Sequence, residues 1–159
     1  MNLEELEAKV QMLDDIEQIK QLQIRYVNYL TTCKWDELMD CFDEDGATDF
    51  PYPDIGLTRG KAAVEKDFRE RIAKGHIGEE GNYCVHPLIT VDGDRATGSW
   101  LLYIQYAKGR KQQNGDDMPG WIQGYYDMEY VKKNGEWKIS LLRWSMRQAS
   151  SPMHIKPSS

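Results

Sequence analysis

The order of two hydrophobic periodicities along the chain constrains its fold more than any other feature. Up to residue 73, apolar side chains recur at spacings of three and four, which is the period of an amphipathic helix. From residue 83, β-branched and aromatic residues dominate, and turn sequences such as Asn134-Gly135 separate the segments. Helices followed by a meander of strands predict an α+β fold, in which N-terminal helices pack on the concave face of a curved antiparallel sheet.

The same patterns give approximate boundaries. Helices are predicted for the first thirty residues, for 35–42, and for 61–73; strands are predicted at 47–52, 83–91, 95–107, 121–131 and 136–147, with a loop at 108–120. Gly46 is predicted to end the second helical unit, and Pro51 and Pro53 are predicted to end the first strand.

The length of 159 residues predicts a single domain, with 1–15 as a helical extension and 148–159 as a C-terminal tail. The apolar side of the first helical turns fits a neighbouring subunit as well as its own core.

Charge and cysteine content narrow the class of protein. A formal net charge of -6 argues against a general nucleic-acid binder, which needs a basic surface. No apolar run is long enough to span a bilayer, and the N-terminal residues do not resemble a signal peptide. Cys33, Cys41 and Cys84 form no CxxC pair, which fits reduced thiols in a cytoplasmic protein.

Motifs of cofactor and metal enzymes are not found in the sequence. The sequence has no phosphate-binding or dinucleotide-binding glycine motif, no HExxH, no GxSxG and no EF-hand loop. The three histidines, His76, His86 and His154, show no metal-ligand spacing. Cys84 and His86 would share one face of a strand at roughly 7 Å, too far for a thiolate–imidazole pair. We therefore expect no cofactor and no metal.

Three stretches of the sequence carry a family resemblance. They are IKQLQIRY at 19–26 with WDEL at 35–38, then HP at 86–87 with ITV at 89–91 and ATGSW at 96–100, and finally GYY at 124–126 with NGEWKI at 134–139. In these stretches the chain resembles the SnoaL-like branch of the nuclear-transport-factor-like cone fold over nearly its whole length. Cofactor-free lyases of that family include bile-acid 7α-dehydratase, scytalone dehydratase and hexachlorocyclohexane dehydrochlorinase. The same cone also hosts isomerases, hydrolases, cyclases and binding proteins.

The resemblance implies two catalytic residues. Tyr26 matches a catalytic tyrosine of the family, and His86 matches the histidine that acts as base in the eliminating enzymes. Neutral imidazole is a competent base near pH 7, and a phenol can donate a hydrogen bond to a carbonyl or a leaving oxygen. Without the resemblance, Tyr26 is equally typical of a core position, and His86 of a structural histidine before a proline.

Two aspartates of the family are missing here. Where the family has an aspartate that hydrogen-bonds to the histidine, this chain has Thr31; where the bile-acid enzyme has a further aspartate, it has Ile104. In the Ser-His-Asp triad, disabling such a partner lowers turnover by about 10⁴-fold. Thr31 itself, Asp49 and Asp127 are the candidate replacements. Asp49 is also typical of a solvated strand end, and alternation points Asp127 outward.

Strand alternation predicts an apolar and aromatic cavity, which agrees with a chain that has nine Tyr and five Trp but only three Phe. The predicted substrate-binding residues are Thr31, Phe50, Tyr52, Leu102, Ile104, Tyr126, Leu142 and Trp144, with Met128 beside them. Such a lining suits a hydrophobic substrate that contains rings.

The resemblance and the lining together predict a cofactor-independent lyase. It would eliminate water, or a fragment such as formaldehyde, from a hydrophobic cyclic or aromatic compound, with His86 as base and Tyr26 as acid. One alternative is a ketosteroid-isomerase-like enzyme with Asp49 as its base. The other is a binding protein without turnover, which the missing carboxylates favour. Expected partners are a hydrophobic small molecule and further copies of the chain, a trimer more than a dimer, but neither nucleic acid nor membrane.

Overall fold

The computed structural model describes residues 1–52, 55–106, 111, 115–117 and 119–150. Its elements are α1 (Leu3–Thr31), α2 (Trp35–Met39), β1 (Phe42–Phe50), β2 (Gly56–Arg59), α3 (Lys61–Glu70), a 3-10 turn (Ile72–Gly75), β3 (Gly81–Asp92), β4 (Arg95–Gln105), β5 (Trp121–Lys133) and β6 (Glu136–Ala149). The predicted α+β class is confirmed. Pro53, much of the predicted 108–120 loop and residues 151–159 of the predicted tail lie outside the described residues.

Six strands form one sheet in the order β2-β1-β6-β5-β4-β3. Neighbours are antiparallel except β1 and β6, which run parallel with Thr48 opposite Leu142. A wholly antiparallel sheet was the expectation, and the parallel pair corrects it. The reason is topological: after β1, the chain passes through α3 to the far edge, and the meander β3-β4-β5-β6 returns beside β1 in the same direction.

The boundary between the second helix and the first strand also differs from the prediction. α2 ends at Met39, and β1 already begins at Phe42. Gly46 therefore lies inside the strand instead of ending the helical unit. The register between β1 and β6 shifts between Phe42 and Ala47, and a Cβ at Gly46 would lie 2.8 Å from the Asp43 carbonyl oxygen. Glycine is thus required at this irregularity. The short strand β2 was not predicted.

The C-terminal half of α1 supplies the helical side of the core. The buried apolar residues are Ile19, Leu22, Tyr26, Val27 and Leu30 on α1, with Val64 and Phe68 on α3. By contrast, Leu3, Leu6, Val10 and Leu13 on the first turns are 43–69% exposed. The apolar stripe that predicts one continuous helix therefore has two environments, a buried one near the sheet and an exposed one at the N-terminal end.

A buried ion pair fixes α1 to the β5–β6 hairpin. The Asp15 carboxylate accepts hydrogen bonds from Lys132 Nζ at 2.6 Å and from Trp137 Nε1 at 2.8 Å. Burial alone would raise the pKa of Asp15, but these two hydrogen bonds outweigh it and lower the pKa below its usual 3.8. A second buried carboxylate, Asp43, binds Lys133 at 2.8 Å on the same hairpin.

Among the described residues, no helix is both long and apolar enough to cross a membrane.

Candidate functional site

The inner face of the sheet gathers the predicted lining residues. Leu102, Ile104, Tyr126, Leu142 and Trp144 alternate inward on β4, β5 and β6 and are buried, as is Met128. Phe50, at the end of β1, is also buried, whereas Tyr52 and Thr31 are half-buried. The rings of Tyr52 and Trp144 stack with centroids 5.6 Å apart. The sequence pattern and the structure therefore place the same side chains around one interior.

Four tyrosines meet in this interior, and we refer to Tyr26, Tyr52, Tyr106 and Tyr126 as the phenol cluster. Tyr26 and Tyr126 pack edge to face with ring centroids 6.0 Å apart, and their hydroxyls share a hydrogen bond. Tyr106, just beyond the end of β4, was not among the predicted lining residues, although it lies inside the predicted strand 95–107 and continues the alternation of Leu102 and Ile104.

Burial sets the protonation state of the phenol cluster. It raises the pKa of Tyr52 to about 12 and the pKa values of Tyr26, Tyr106 and Tyr126 well above 10. Burial likewise raises the pKa of the neighbouring Cys84 thiol to about 12. These groups stay protonated at neutral pH and act as hydrogen-bond donors, not as bases.

The structure places His86 on the surface. In the β3–β4 ladder Val85 faces Leu101 and Leu88 faces Ser99, so both His86 and Pro87 lie opposite one residue of β4. This extra residue is a β-bulge, and it resets the inward–outward alternation. His86 is exposed and has a φ of 55°. The expectation that His86 faces inward beside Cys84 is therefore corrected, whereas its role as a base stays a prediction.

Asn82, which was not predicted as a site residue, contacts Thr31 in the interior. Its side-chain Nδ2 donates to Thr31 Oγ1 at 3.1 Å, and it lies opposite Ile104 in the β3–β4 register. Thr31 and Ile104 are the positions where the resemblance places the two missing aspartates. At these two positions the structure brings together an amide, a hydroxyl and an apolar side chain. Counting back from Cys84 with a period of two reaches Asn82, but the predicted strand begins at residue 83, whereas β3 begins at Gly81.

The other candidate partners for His86 lie elsewhere. Asp49 accepts a hydrogen bond from Arg143 Nε at 3.0 Å at the sheet surface. Asp127 is exposed, as predicted, and borders a groove of about 280 Å³ on the outer face of the sheet, together with Thr97, Ser99 and Glu129. No group of three or more His, Cys, Asp or Glu residues among the described positions is arranged to hold a metal ion.

A family model described as a SnoaL-like domain matches residues 11–143. The chain belongs to the SnoaL-like family. Solved structures agree with this assignment. A Mycobacterium tuberculosis protein of unknown function shares 25% identity at a TM-score of 0.68, covering 87% of this chain and 75% of that one.

Two further solved structures share the fold. An NTF2-like protein with a cystatin-like fold from Novosphingobium aromaticivorans has 17% identity and a TM-score of 0.71, over 91% of this chain and 90% of its own. Hexachlorocyclohexane dehydrochlorinase LinA-type3 from Novosphingobium barchaimii has 17% identity and a TM-score of 0.71, over 95% and 99%. The SnoaL-like fold is therefore shared with a dehydrochlorinase and with proteins of unknown function.

Proposed function

We propose that this SnoaL-like domain binds a neutral, hydrophobic small molecule that contains rings, and that the phenol cluster donates hydrogen bonds to one of its oxygen atoms. The observation that carries the proposal is the phenol cluster, whose four tyrosines lie among the buried apolar side chains of the sheet. Aromatic walls supply contact area for a ring system, and a few hydroxyls fix its orientation.

The protonation state supports binding over proton abstraction. The raised pKa values of Tyr26 and Tyr126 keep both phenols neutral, and Asn82 with Thr31 supplies an amide and a hydroxyl where a base and its carboxylate are expected. Neither pair removes a proton from carbon at neutral pH. Of the functions considered from the sequence, the binding protein without turnover is thus the best supported.

Replacing Tyr26 by phenylalanine tests this proposal. With trans-chalcone, a neutral aromatic ketone, as the probe, we expect affinity to fall about five- to tenfold, because one hydrogen bond contributes about 1 kcal/mol net. Quenching of tryptophan fluorescence measures the dissociation constant. Tyr29→Phe, a half-buried tyrosine on the same helix outside the phenol cluster, is the matched control. Equal affinity in both variants, or no binding by the wild type, would contradict the proposal.

A second candidate function is the elimination reaction, with Tyr26 as acid and His86 as base. The raised pKa of Tyr26 favours it, since a general acid must hold its proton. The substrate to test is 3-hydroxy-1,3-diphenylpropan-1-one, which becomes chalcone when it loses water. Mass spectrometry should show that loss in the wild type and little of it in His86→Ala. Equal conversion in the two proteins would exclude His86 as the base, and a product of unchanged mass would instead indicate an isomerase.

We also propose that the chain forms a homo-oligomer, a trimer more than a dimer. Within the described part of the chain, β3 is an edge strand with no strand on its outer side, and it exposes Tyr83, Val85 and Leu88 at 54%, 41% and 76%. Unpaired edges with apolar side chains readily add another chain. Light scattering after size exclusion should give a multiple of 18.5 kDa that Val85→Lys reduces. A wild-type monomer at micromolar concentration would exclude this assembly.

A further inference from the structure

Among the described residues, several buried polar atoms have no hydrogen-bond partner, Thr48 Oγ1 included, and two of these atoms lie beside the predicted lining residues. They are the side-chain oxygen of Asn82, Oδ1, and the indole nitrogen of Trp144, Nε1. One is an acceptor and the other a donor. Buried polar atoms are almost always paired, because an unpaired one has lost its hydrogen bonds to water without replacement. Each of these atoms therefore indicates a ligand group that would form the missing hydrogen bond.

The contacts of Asn82 leave its side-chain oxygen, Oδ1, available to a ligand. The amide nitrogen is engaged with Thr31 at 3.1 Å, which fixes the plane of the side chain. Asn82 lies on the inner face of β3, opposite the buried Ile104. Its oxygen can accept a hydrogen bond from a hydroxyl or an amine on a ligand, but it cannot donate one.

The surroundings of Trp144 fix the position of its indole nitrogen. Its ring is held against Tyr52, and Nε1 lies 3.1 Å from the position that a Cβ would occupy on Gly124. The backbone carbonyl of Ser145 already occupies that position, so only a glycine on β5 allows this close approach. In the β5–β6 register Trp144 faces Tyr126 of the phenol cluster. A carbonyl oxygen there can accept from the indole and from a phenol at once, since it has two lone pairs.

We propose that the ligand is an elongated hydroxyaryl ketone or a compound of equivalent donor and acceptor pattern. Its hydroxyl donates to Asn82 Oδ1, and its carbonyl accepts from Trp144 Nε1. Asn82 on β3 and Gly124 on β5, which lies beside Trp144 Nε1, are two strand spacings apart, about 10 Å across the sheet, and two residues apart along it, about 7 Å. Two linked rings span this separation. This inference rests on the proposed binding function and names the ligand class for that site.

Three probes of similar shape test it on the unmodified protein. 4-Hydroxychalcone has both groups, 4-methoxychalcone lacks the donor, and 4-hydroxystilbene lacks the carbonyl. We expect 4-hydroxychalcone to bind about five- to tenfold more tightly than either of the others, which is the effect of one hydrogen bond. Equal binding of all three would overturn this inference but leave the proposed function standing. Failure of all three to bind would overturn both.

Two variants assign each hydrogen bond to its residue. Asn82→Leu should abolish the preference for 4-hydroxychalcone over 4-methoxychalcone, and Trp144→Phe should abolish its preference over 4-hydroxystilbene. Asn28→Leu on the exposed side of α1 and Trp121→Phe on β5 are the matched controls, and both preferences should persist in them. Preferences that persist in folded Asn82→Leu and Trp144→Phe proteins would overturn the assignment to these two residues.

Discussion

Replacing Asp15 by alanine should lower the free energy of unfolding by about 3 kcal/mol, because it leaves a buried cation and a buried indole N–H without their acceptor. The side chain of Asp15 is 7% exposed and that of Lys132 18%, so water replaces the lost contacts poorly. Chemical denaturation followed by circular dichroism measures the change.

The neighbouring residue provides the control for this prediction. Asp14 is exposed on the same helix turn, and Asp14→Ala should cost less than about 0.5 kcal/mol. The pair Asp15→Leu with Lys132→Met removes both charges and should cost less than Asp15→Ala alone. If Asp15→Ala and Asp14→Ala unfold at the same denaturant concentration, the ion pair does not hold α1 to the hairpin.

The same ion pair predicts the sign of the acid dependence. The folded-state pKa of Asp15 lies below its usual 3.8, so the unfolded chain takes up the proton first as pH falls. The stabilisation is complete above pH 3.8 and is lost progressively below it. Asp43, whose pKa is also lowered, adds to the effect. In Asp15→Ala this part of the acid sensitivity should be smaller.

Replacing Gly124 by alanine should destabilise the protein by about 2–3 kcal/mol and abolish ligand binding. The added Cβ would overlap the backbone carbonyl oxygen of Ser145 and would lie 3.1 Å from Trp144 Nε1. The Ser145 carbonyl belongs to the β5–β6 ladder and cannot move without breaking strand pairing. Thermal unfolding measures the stability, and quenching by 4-hydroxychalcone measures the binding.

Gly120→Ala is the matched control for this prediction. A Cβ there would meet the Ser150 Oγ at 3.6 Å, an ordinary van der Waals contact. We expect a change of less than about 0.5 kcal/mol. A Gly124→Ala protein that is as stable as Gly120→Ala and still binds the probe would show that the close approach of Ser145 and Trp144 to Gly124 does not shape the site.

Periodicity predicts this fold well wherever one face of an element is buried. The stripe from Ile19 to Leu30 locates α1, and the four long strands appear within a few residues of their predicted ends. Periodicity fails where an element has no fully buried face, as in β2, whose residues alternate only between half-buried and exposed. It also fails for the direction of β1, because parallel pairing with β6 depends on which edge the chain returns to.

The site was predicted less completely, and for a different reason. The inward position of Trp144 follows from the period of two along an uninterrupted stretch of strand. His86 does not follow it, because one extra residue in β3 shifts every later side chain to the other face. The sequence shows no glycine at that point to mark the bulge. Asn82 was overlooked for another reason, because the predicted strand begins at residue 83 and β3 begins at Gly81.

The phenol cluster also determines what a pH titration of binding would report. Its four hydroxyls and the Cys84 thiol keep their protons throughout the range in which proteins are usually studied. These five groups therefore contribute no inflection of their own between pH 5 and 9. A midpoint in that range would therefore not come from the phenol cluster or from Cys84. For a ligand that ionises there, a spectroscopic titration of the bound ligand would follow the ligand's own proton.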